Sequence, residues 1–436
     1  MSTDGQTSDG FDGDGDFDAA SFWPEFDGDH PDKRTADWFH LKDLGFHATV
    51  ASQERLNFYT RMYRADNRRL HAVYARQLPL AAWDGPVAIT DTFTKSLNAG
   101  GESLDAFMFS GVVVRPTHRR RGLLRSMMTR HLHRAHNEGF PVALLKASEG
   151  GIYRRFGFAP VAYERHVNVD TSSRFAMLTP PPGRVEVTEP SNLMGVAPDL
   201  FAGFHARQPG SVDRLARFAG IVSGTADRFG NSDNTIRAAL HYDDAGVIDG
   251  YVSYRSTGSP PQLGIEIVDL IAVEPGAYLG LWDFLASIDL VEYVRWTQAP
   301  VHDPLSLALA DPRVVSTVGE TDSLWMRILD VPAILEALGY VDDGELMIRV
   351  HDTYGLTDGR YELSVSGGSA QVTRHTTGGS CDVDCDVADL AALVFGTAHP
   401  ATLAASARLT EGRAGGVRRA AALLAGNQPI YCPTDF

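Results

Sequence analysis

The chain has 436 residues, with 55 acidic against 39 basic side chains, a formal net charge of −16, and 44% hydrophobic residues. That is the composition of a folded chain of two to four domains at roughly 100–200 residues each, and its acidity argues against non-specific nucleic-acid binding and for cationic partners. No run approaches the ~18 apolar residues of a membrane helix, and no signal-peptide pattern opens the chain, so a cytoplasmic protein is expected.

Residues 1–32 carry ten acids and no Lys or Arg, with five interspersed glycines. Such a segment buries too little apolar surface to offset chain entropy, so residues 1–34 are expected to be a disordered acidic tail. Asp12, Asp14 and Asp16 resemble the start of a calcium loop. Phe17 then stands where that loop needs Gly, and Trp23 where it needs Glu. Three cysteines, Cys381, Cys385 and Cys432, are too few for a disulfide framework. No histidine pair beside Cys381 and Cys385 completes a zinc site, and no metal is expected.

A helix is expected around Gln53–Arg64, then strands at Leu70–Arg76, Val87–Thr92 and Phe107–Val114. Apolar residues at 123, 124, 127, 128, 132 and 135 predict a helix over Gly122–Asn137, stopped by Gly139. PVALLKA (141–147) reads as a buried strand, and GGIYRRFGF (150–158) as a turn or short helix leading to another. TPPPG at 179–183 marks a boundary. Beyond it, DLIAVEP (269–275) echoes VVVRP (112–116), a strand ending in X-Pro before a helix. In that second copy GAYLGL replaces the arginines, so a duplicated domain that has lost its charged loop is expected. From about 320 the pattern changes to strands at 344–351, 359–365 and 371–375, then helices at 386–395, 402–410 and 415–424.

Residues 110–137 hold seven arginines and no acid. A strand ends at Pro116, a basic run Arg119-Arg120-Arg121 follows, and a helix starts at Gly122. Orphan N–H groups and the positive dipole end of that helix would meet the basic run, which suits a phosphate or pyrophosphate. A solvated basic face is the plainer alternative. No Gly-Lys-Ser/Thr and no GxGxxG is present, so neither a Walker loop nor a dinucleotide fingerprint is formed.

RRRGLL resembles the acyl-CoA pyrophosphate loop of the GNAT acetyltransferase superfamily, Arg/Gln-x-x-Gly-x-Gly/Ala, with Leu124 departing at the last position. VVVRPTHRRRGLLR together with ASEGGIYRRFGF is similar to the enhanced-intracellular-survival (Eis) aminoglycoside acetyltransferases, in which that Leu is normal. The likeness extends to SLWMRILDVPAILEALGY (323–340), HDPL (302–305) and the terminal Phe, and is weak over residues 1–100. The resemblance implies an α/β (α+β) fold. Two tandem GNAT-like domains with mixed sheets, at 35–178 and, degenerate, at 179–318, precede a sterol-carrier-protein-like domain at 319–436.

It further implies that Val112, Val113 and Val114 hold the pantetheine arm of acetyl-CoA. Arg120, Arg121, Gly122, Leu123, Leu124 and Arg125 would bind its pyrophosphate, and Ser148 and Glu149 would also contact it. Tyr153 matches the general acid, and Phe436 the residue whose C-terminal carboxylate acts as general base. A phenol of pKa ~10 suits protonation of a thiolate of pKa ~8.5 or above, whereas a terminal carboxylate of pKa ~3.3–3.7 needs burial or a water relay to act as a base. Asp435 would add negative charge for a cationic amine. Of the histidines, His118, His131 and His133 read as surface residues and phosphate neighbours.

The expected activity is acetyl transfer from acetyl-CoA to primary amines of polycationic small molecules such as aminoglycosides, by direct attack in a ternary complex. A homohexamer is implied by resemblance alone. Acetylation of protein lysines, or a non-catalytic acyl-CoA or lipid carrier role, remain open alternatives. Tyr153 as a plain core tyrosine and Phe436 as a frayed end are the corresponding bland readings.

Overall fold

A computed structural model describes residues 15–259, 262–376, 378–425 and 429–436. A first module contains β1 (Phe17–Phe22), the short β2 (Phe26–Asp27) and β3 (His30–Pro31), α1 (Lys33–Gly45), α2 (Gln53–Ala65), β4 (Arg69–Ala75), β5 (Ala88–Asn98), β6 (Ser103–Val114), α3 (Leu123–Asn137), β7 (Val142–Leu145), α4 (Gly150–Tyr153) and β8 (Ala159–Asp170). A second contains β9 (Arg184–Thr188), α5 (Leu193–His205), α6 (Phe218–Ser223), β10 (Arg237–Tyr242), β11 (Ile248–Ser259), β12 (Gln262–Ala272), α7 (Pro275–Ala286), β13 (Tyr293–Pro300), α8 (Leu305–Ala308) and β14 (Val315–Ile328). A third follows with α9 (Val331–Glu336), β15 (Gly344–His351), β16 (Gly359–Ser366), β17 (Ser369–His375), β18 (Val383–Asp386), α10 (Val387–Val394), α11 (Pro400–Ala405), β19 (Leu409–Glu411) and α12 (Gly416–Leu424).

The first two modules share one mixed sheet, ordered β1-β4-β5-β6-β7-β14-β8-β13-β12-β11-β10-β9, and the third has its own, β17-β16-β15-β18-β19. β14 joins the modules, pairing antiparallel with β8 along most of its length and with β7 through Trp325–Ile328. The boundary expected at 318/319 therefore falls inside a strand of the shared sheet. Leu324, Met326 and Ile328 of β14 pack in one apolar cluster with Ile348, Leu390 and Leu393 of the third module. Every residue of α10 is buried, as an apolar helix enclosed on all sides must be.

What positions the site is a divergence of two parallel strands. β6 is rich in aromatic and β-branched residues (FMFSGVVV), which suit a pleated, half-buried surface. It pairs with β7 only from Ala106–Met108 to Val142–Leu144. Its register against β5 then shifts between Ile89 and Asp91, a bulge that takes in Gly111 at φ +59°. A Cβ at Gly111 would lie 2.7 Å from Asp91 Oδ1 and 2.8 Å from Trp38 Cη2, so only glycine fits. The second module repeats the device: β12 pairs with β13 only over Gly264–Glu266, and its register against β11 shifts at Ser253/Tyr254. The expected duplication is therefore visible in the backbone.

Two expectations are corrected. Of the acidic tail, residues 1–14, with Asp12 and Asp14 of the calcium-like run, lie outside the described residues. From Gly15 onward the chain is part of the fold. β1 pairs antiparallel with β4 along all six residues, Phe17 and Phe22 are buried, and Asp32 caps α1 by accepting from the Thr35 N–H. The high count of acids hid two aromatic anchors, and pairing with β4 satisfies the backbone that composition alone left open. The helix expected at 402–410 ends at Ala405, and Leu409–Glu411 form β19 against β18.

Candidate active site

Beyond Met108, β6 and β7 separate and leave a cavity of about 230 Å³. Phe109, Ser110, Gly111 and Val112 line it from β6, Leu145 to Ser148 from β7 and its extension, Tyr153 from α4, and Phe436 from the C-terminus. No residue of β6 past Met108 pairs with β7, so the backbone of Val112, Val113 and Val114 has an unpaired side on which an extended arm can add.

The basic loop leads from β6 to α3. Arg115 is spoken for: it donates to Pro86 O at 2.8 Å and Trp83 O at 3.0 Å and stacks over Trp83. Arg119, Arg120 and Arg121 are exposed. Arg120 has φ +64° and Gly122 φ +77°, a pair of left-handed residues that turns the chain into the helix. No side chain caps α3, so its first N–H groups are open to an anion. Leu123 is buried with Phe17, Val73, Val87 and Met127, and Leu124 packs against Phe109 and Met128, so both anchor the helix start. Arg125 is exposed on the first turn. In the second module an acidic residue, Glu274, stands at the N-cap position of α7 and no arginine run precedes it, so the basic helix start belongs to the first module.

Tyr153 ends a short turn whose position is fixed from the third module. The neighbouring Arg154 donates to both carboxylate oxygens of buried Asp389, each at 3.1 Å. Burial, with a smaller push from the Glu149 charge, raises the Tyr153 phenol to about 12. Ser148 lines the cavity, whereas Glu149 is exposed at the start of α4 and does not line it.

The C-terminal segment is not frayed. Tyr431 to Thr434 are buried, the Tyr431 N–H donates to Pro209 O at 3.1 Å, and Thr434 Oγ1 donates to Val212 O at 2.7 Å. Asp435 lies between two cations, with Oδ1 3.1 Å from Lys146 Nζ and Oδ2 3.5 Å from Arg217 Nη2. Arg217 also donates to the Asp435 main-chain O at 2.9 Å. Partial desolvation opposes ionisation of Asp435, whose side chain is half exposed, but Lys146 and Arg217 outweigh it and hold the carboxyl below its ordinary range. Phe436 packs edge-on against Phe93 at 6.2 Å. Asp435, expected to face a substrate amine, is thus already neutralised by the protein.

A second cavity, of about 680 Å³, shares Lys146 with the first and is lined by Glu164, Arg217, Glu266, Gln298 and Asp435, among others. Sequence reasoning missed Lys146, Glu164 and Arg217. Charged residues at alternate positions of an otherwise apolar strand (Glu164 and His166 in AYERHV) were the available signal, because such a face cannot be core. One histidine is corrected. His118 is partly exposed and His133 exposed, but His131 is buried, its ring 4.0 Å from that of His71. Burial drives its pKa to about 3 and leaves it neutral. It lies four residues beyond Met127 and so falls on the apolar stripe of α3.

Known proteins resemble this chain along most of its length. Residues 31–161 match a family model described as an acetyltransferase (GNAT) domain, residues 210–328 a second acetyltransferase (GNAT) domain, and residues 331–433 a sterol carrier protein domain. An uncharacterized N-acetyltransferase of Streptomyces griseus is 32% identical over 414 residues, 92% of this chain and 97% of that one. The N-acetyltransferase Eis of Mycobacterium tuberculosis is 33% identical over 333 residues, 75% and 80% of the two chains. The crystal structure of Eis1 from Mycobacterium abscessus superposes with a TM-score of 0.75 at 26% identity, covering 92% of this chain and 96% of that one. A GCN5-related N-acetyltransferase from Anabaena variabilis shares the fold at a TM-score of 0.77 and 18% identity, covering 95% and 99%.

Proposed function

The chain belongs to the Eis family of GNAT N-acetyltransferases, and from that premise we propose that it moves an acetyl group from acetyl-CoA to a primary amine by direct attack in a ternary complex. The observation that carries this reading is the meeting of Tyr153, Phe436, Val112 and Ser148 in one cavity at the divergence of β6 and β7.

The residues suit the donor. The open side of β6 accepts an extended arm, and the uncapped start of α3 beside Arg120, Arg121 and Arg125 accepts a pyrophosphate. When bound, acetyl-CoA supplies a thioester carbonyl and a sulfur leaving group. The Phe436 carboxylate takes a proton from the incoming ammonium, because only the free amine has a lone pair to donate. As the N–C bond forms and the C–S bond breaks, the nitrogen releases its second proton to solvent, and Tyr153 gives its proton to sulfur and recovers one from solvent. A phenol held at about 12 keeps its proton until charge develops beside it. The enclosure that disfavours its anion disfavours a thiolate there too, so the proton passes to sulfur.

Aminoglycosides, linear polyamines and lysine side chains are the acceptor classes to assay with acetyl-CoA, with products read by mass spectrometry. An acetylated amine formed by the wild-type chain supports the proposal. A folded protein that acetylates none of them overturns it. The family resemblance also carries the homohexamer, which sedimentation of the purified protein tests.

A further inference from the structure

The second module repeats the strand divergence of the first, and the end of the chain is seated in it. β12 pairs with β13 over Gly264–Glu266 and Tyr293–Arg295, and past that point the two strands part. The register of β13 against β8 breaks between Trp296 and Ala299, which leaves Thr297 and Gln298 outside that pairing. In the first module the corresponding opening is the cavity lined by Tyr153 and Phe436. In the second, the Tyr431 hydroxyl donates to Gln298 O at 2.5 Å. Its ring is buried in one apolar cluster with Ile267 and Leu270 of β12 and Trp296 and Ala299 of β13, edge-on to Trp296 at 6.4 Å and to Phe204 at 6.1 Å. Glu266–Val268 and Thr297–Gln298, where the strands part, also line the cavity of about 680 Å³ together with Asp435.

The loop between α5 and α6 follows the same segment. Gln208 Nε2 donates to Pro429 O at 2.7 Å, the Tyr431 N–H donates to Pro209 O at 3.1 Å, and Thr434 Oγ1 donates to Val212 O at 2.7 Å. Gly210, at φ +80°, lies so close to Ile430 that a Cβ there would collide with Ile430 Cγ2. The second module thus holds residues 429–434 by side chain and main chain together.

We propose that Tyr431 is a positioning residue: the second module, which has no basic helix start, uses its strand opening as the seat for the chain end and so fixes the Phe436 carboxylate in the cavity with Tyr153. This deepens the acetyl-transfer reading and rests on it for the task of Phe436. Tyr431 does not line that cavity and acts through Cys432, Pro433 and Thr434, which are buried.

The first half of the test needs no turnover. A carboxypeptidase that favours aromatic ends reads how often the end of the folded chain opens, because cleavage follows the open population. Tyr431→Ala should release Phe436 about 10-fold faster than wild type or more, and Tyr431→Phe, which keeps the ring, by a smaller factor. Leu240→Ala, in a different apolar cluster of the same module, should lower the urea midpoint and leave the release rate within about 2-fold of wild type. In turnover, Tyr431→Ala should lower kcat by about 10-fold or more with the KM for acetyl-CoA within about 2-fold. In a chain carrying one extra alanine after Phe436 the same substitution should change kcat by less than about 2-fold, because the carboxylate it positions is already displaced. Release from Tyr431→Ala no faster than from Leu240→Ala overturns the seat. So does a loss of kcat that persists in full in the extended chain. A wild-type protein that acetylates no amine overturns the transfer reading instead, and the release rates still decide whether Tyr431 seats the chain end.

Discussion

Lys146 Nζ stands 3.1 Å from Asp435 Oδ1, which ties the end of β7 to the penultimate residue of the chain. Arg217 holds the other oxygen and the main-chain carbonyl of the same residue. The next residue, Phe436, is thereby set in the cavity with Tyr153. Burial lowers the Lys146 pKa, but Asp435 and Glu164 more than restore it, so the amine stays charged. Lys146→Met should lower kcat by about 10-fold or more while the KM for acetyl-CoA moves less than about 2-fold, because it displaces the base and not the donor. Lys146→Arg should restore part of the loss, which steady-state kinetics on the two variants checks.

Adding one alanine after Phe436 moves the carboxylate by about 3.5 Å and leaves the buried Tyr431–Thr434 segment intact. We expect kcat to fall by about 100-fold with little change in acetyl-CoA affinity. Unchanged turnover would remove the carboxylate from the mechanism.

The paired alanine substitution Arg120→Ala, Arg121→Ala should raise the KM for acetyl-CoA by about 10-fold, with kcat at saturation within about 2-fold. Both guanidinium groups are exposed beside the uncapped start of α3, where the proposal puts the pyrophosphate, and neither lines the cavity with Tyr153. The wild-type KM should rise with salt, and the variant's should rise less.

Gly111→Ala places a methyl group against Asp91 and Trp38 at a positive φ. Strain and overpacking together should cost about 2–4 kcal/mol, readable as a lowered urea midpoint. Any enzyme that remains folded should bind acetyl-CoA poorly, since the bulge opens the cavity.

Tyr153 also gives a signature in stability against pH. Its phenol is held at about 12 in the folded chain, against ~10 in an unfolded one. The folded state therefore keeps its proton longer, and this contribution is full below pH ~10 and is lost as pH rises towards 12. Tyr153→Phe should remove that part of the alkaline slope in denaturant titrations at pH 9–11.

Much of the proposed donor side of the site is legible in the amino-acid sequence. The arginine run, Gly122 and the apolar stripe of α3 carry strong local signals, and GGIY lies in a recognisable turn. The acceptor side depends on residues far apart in the chain. Lys146, Glu164 and Arg217 come from three separate elements, and what they do depends on the last residues of the chain threading between them. β1 was masked by its acids, because an edge strand is set by its partner more than by its own composition. His131 shows a related limit: the spacing placed it on the buried stripe, yet a polar residue type suggested the surface.

The central claim is that transfer takes place in the cavity between β6 and β7 with Tyr153 as its proton donor, and the most direct measurement is kcat of Tyr153→Phe at saturating acetyl-CoA and amine. We expect a fall of about 10²-fold or more, with the KM for acetyl-CoA within about 2-fold of wild type. A kcat unchanged by the loss of that hydroxyl contradicts it.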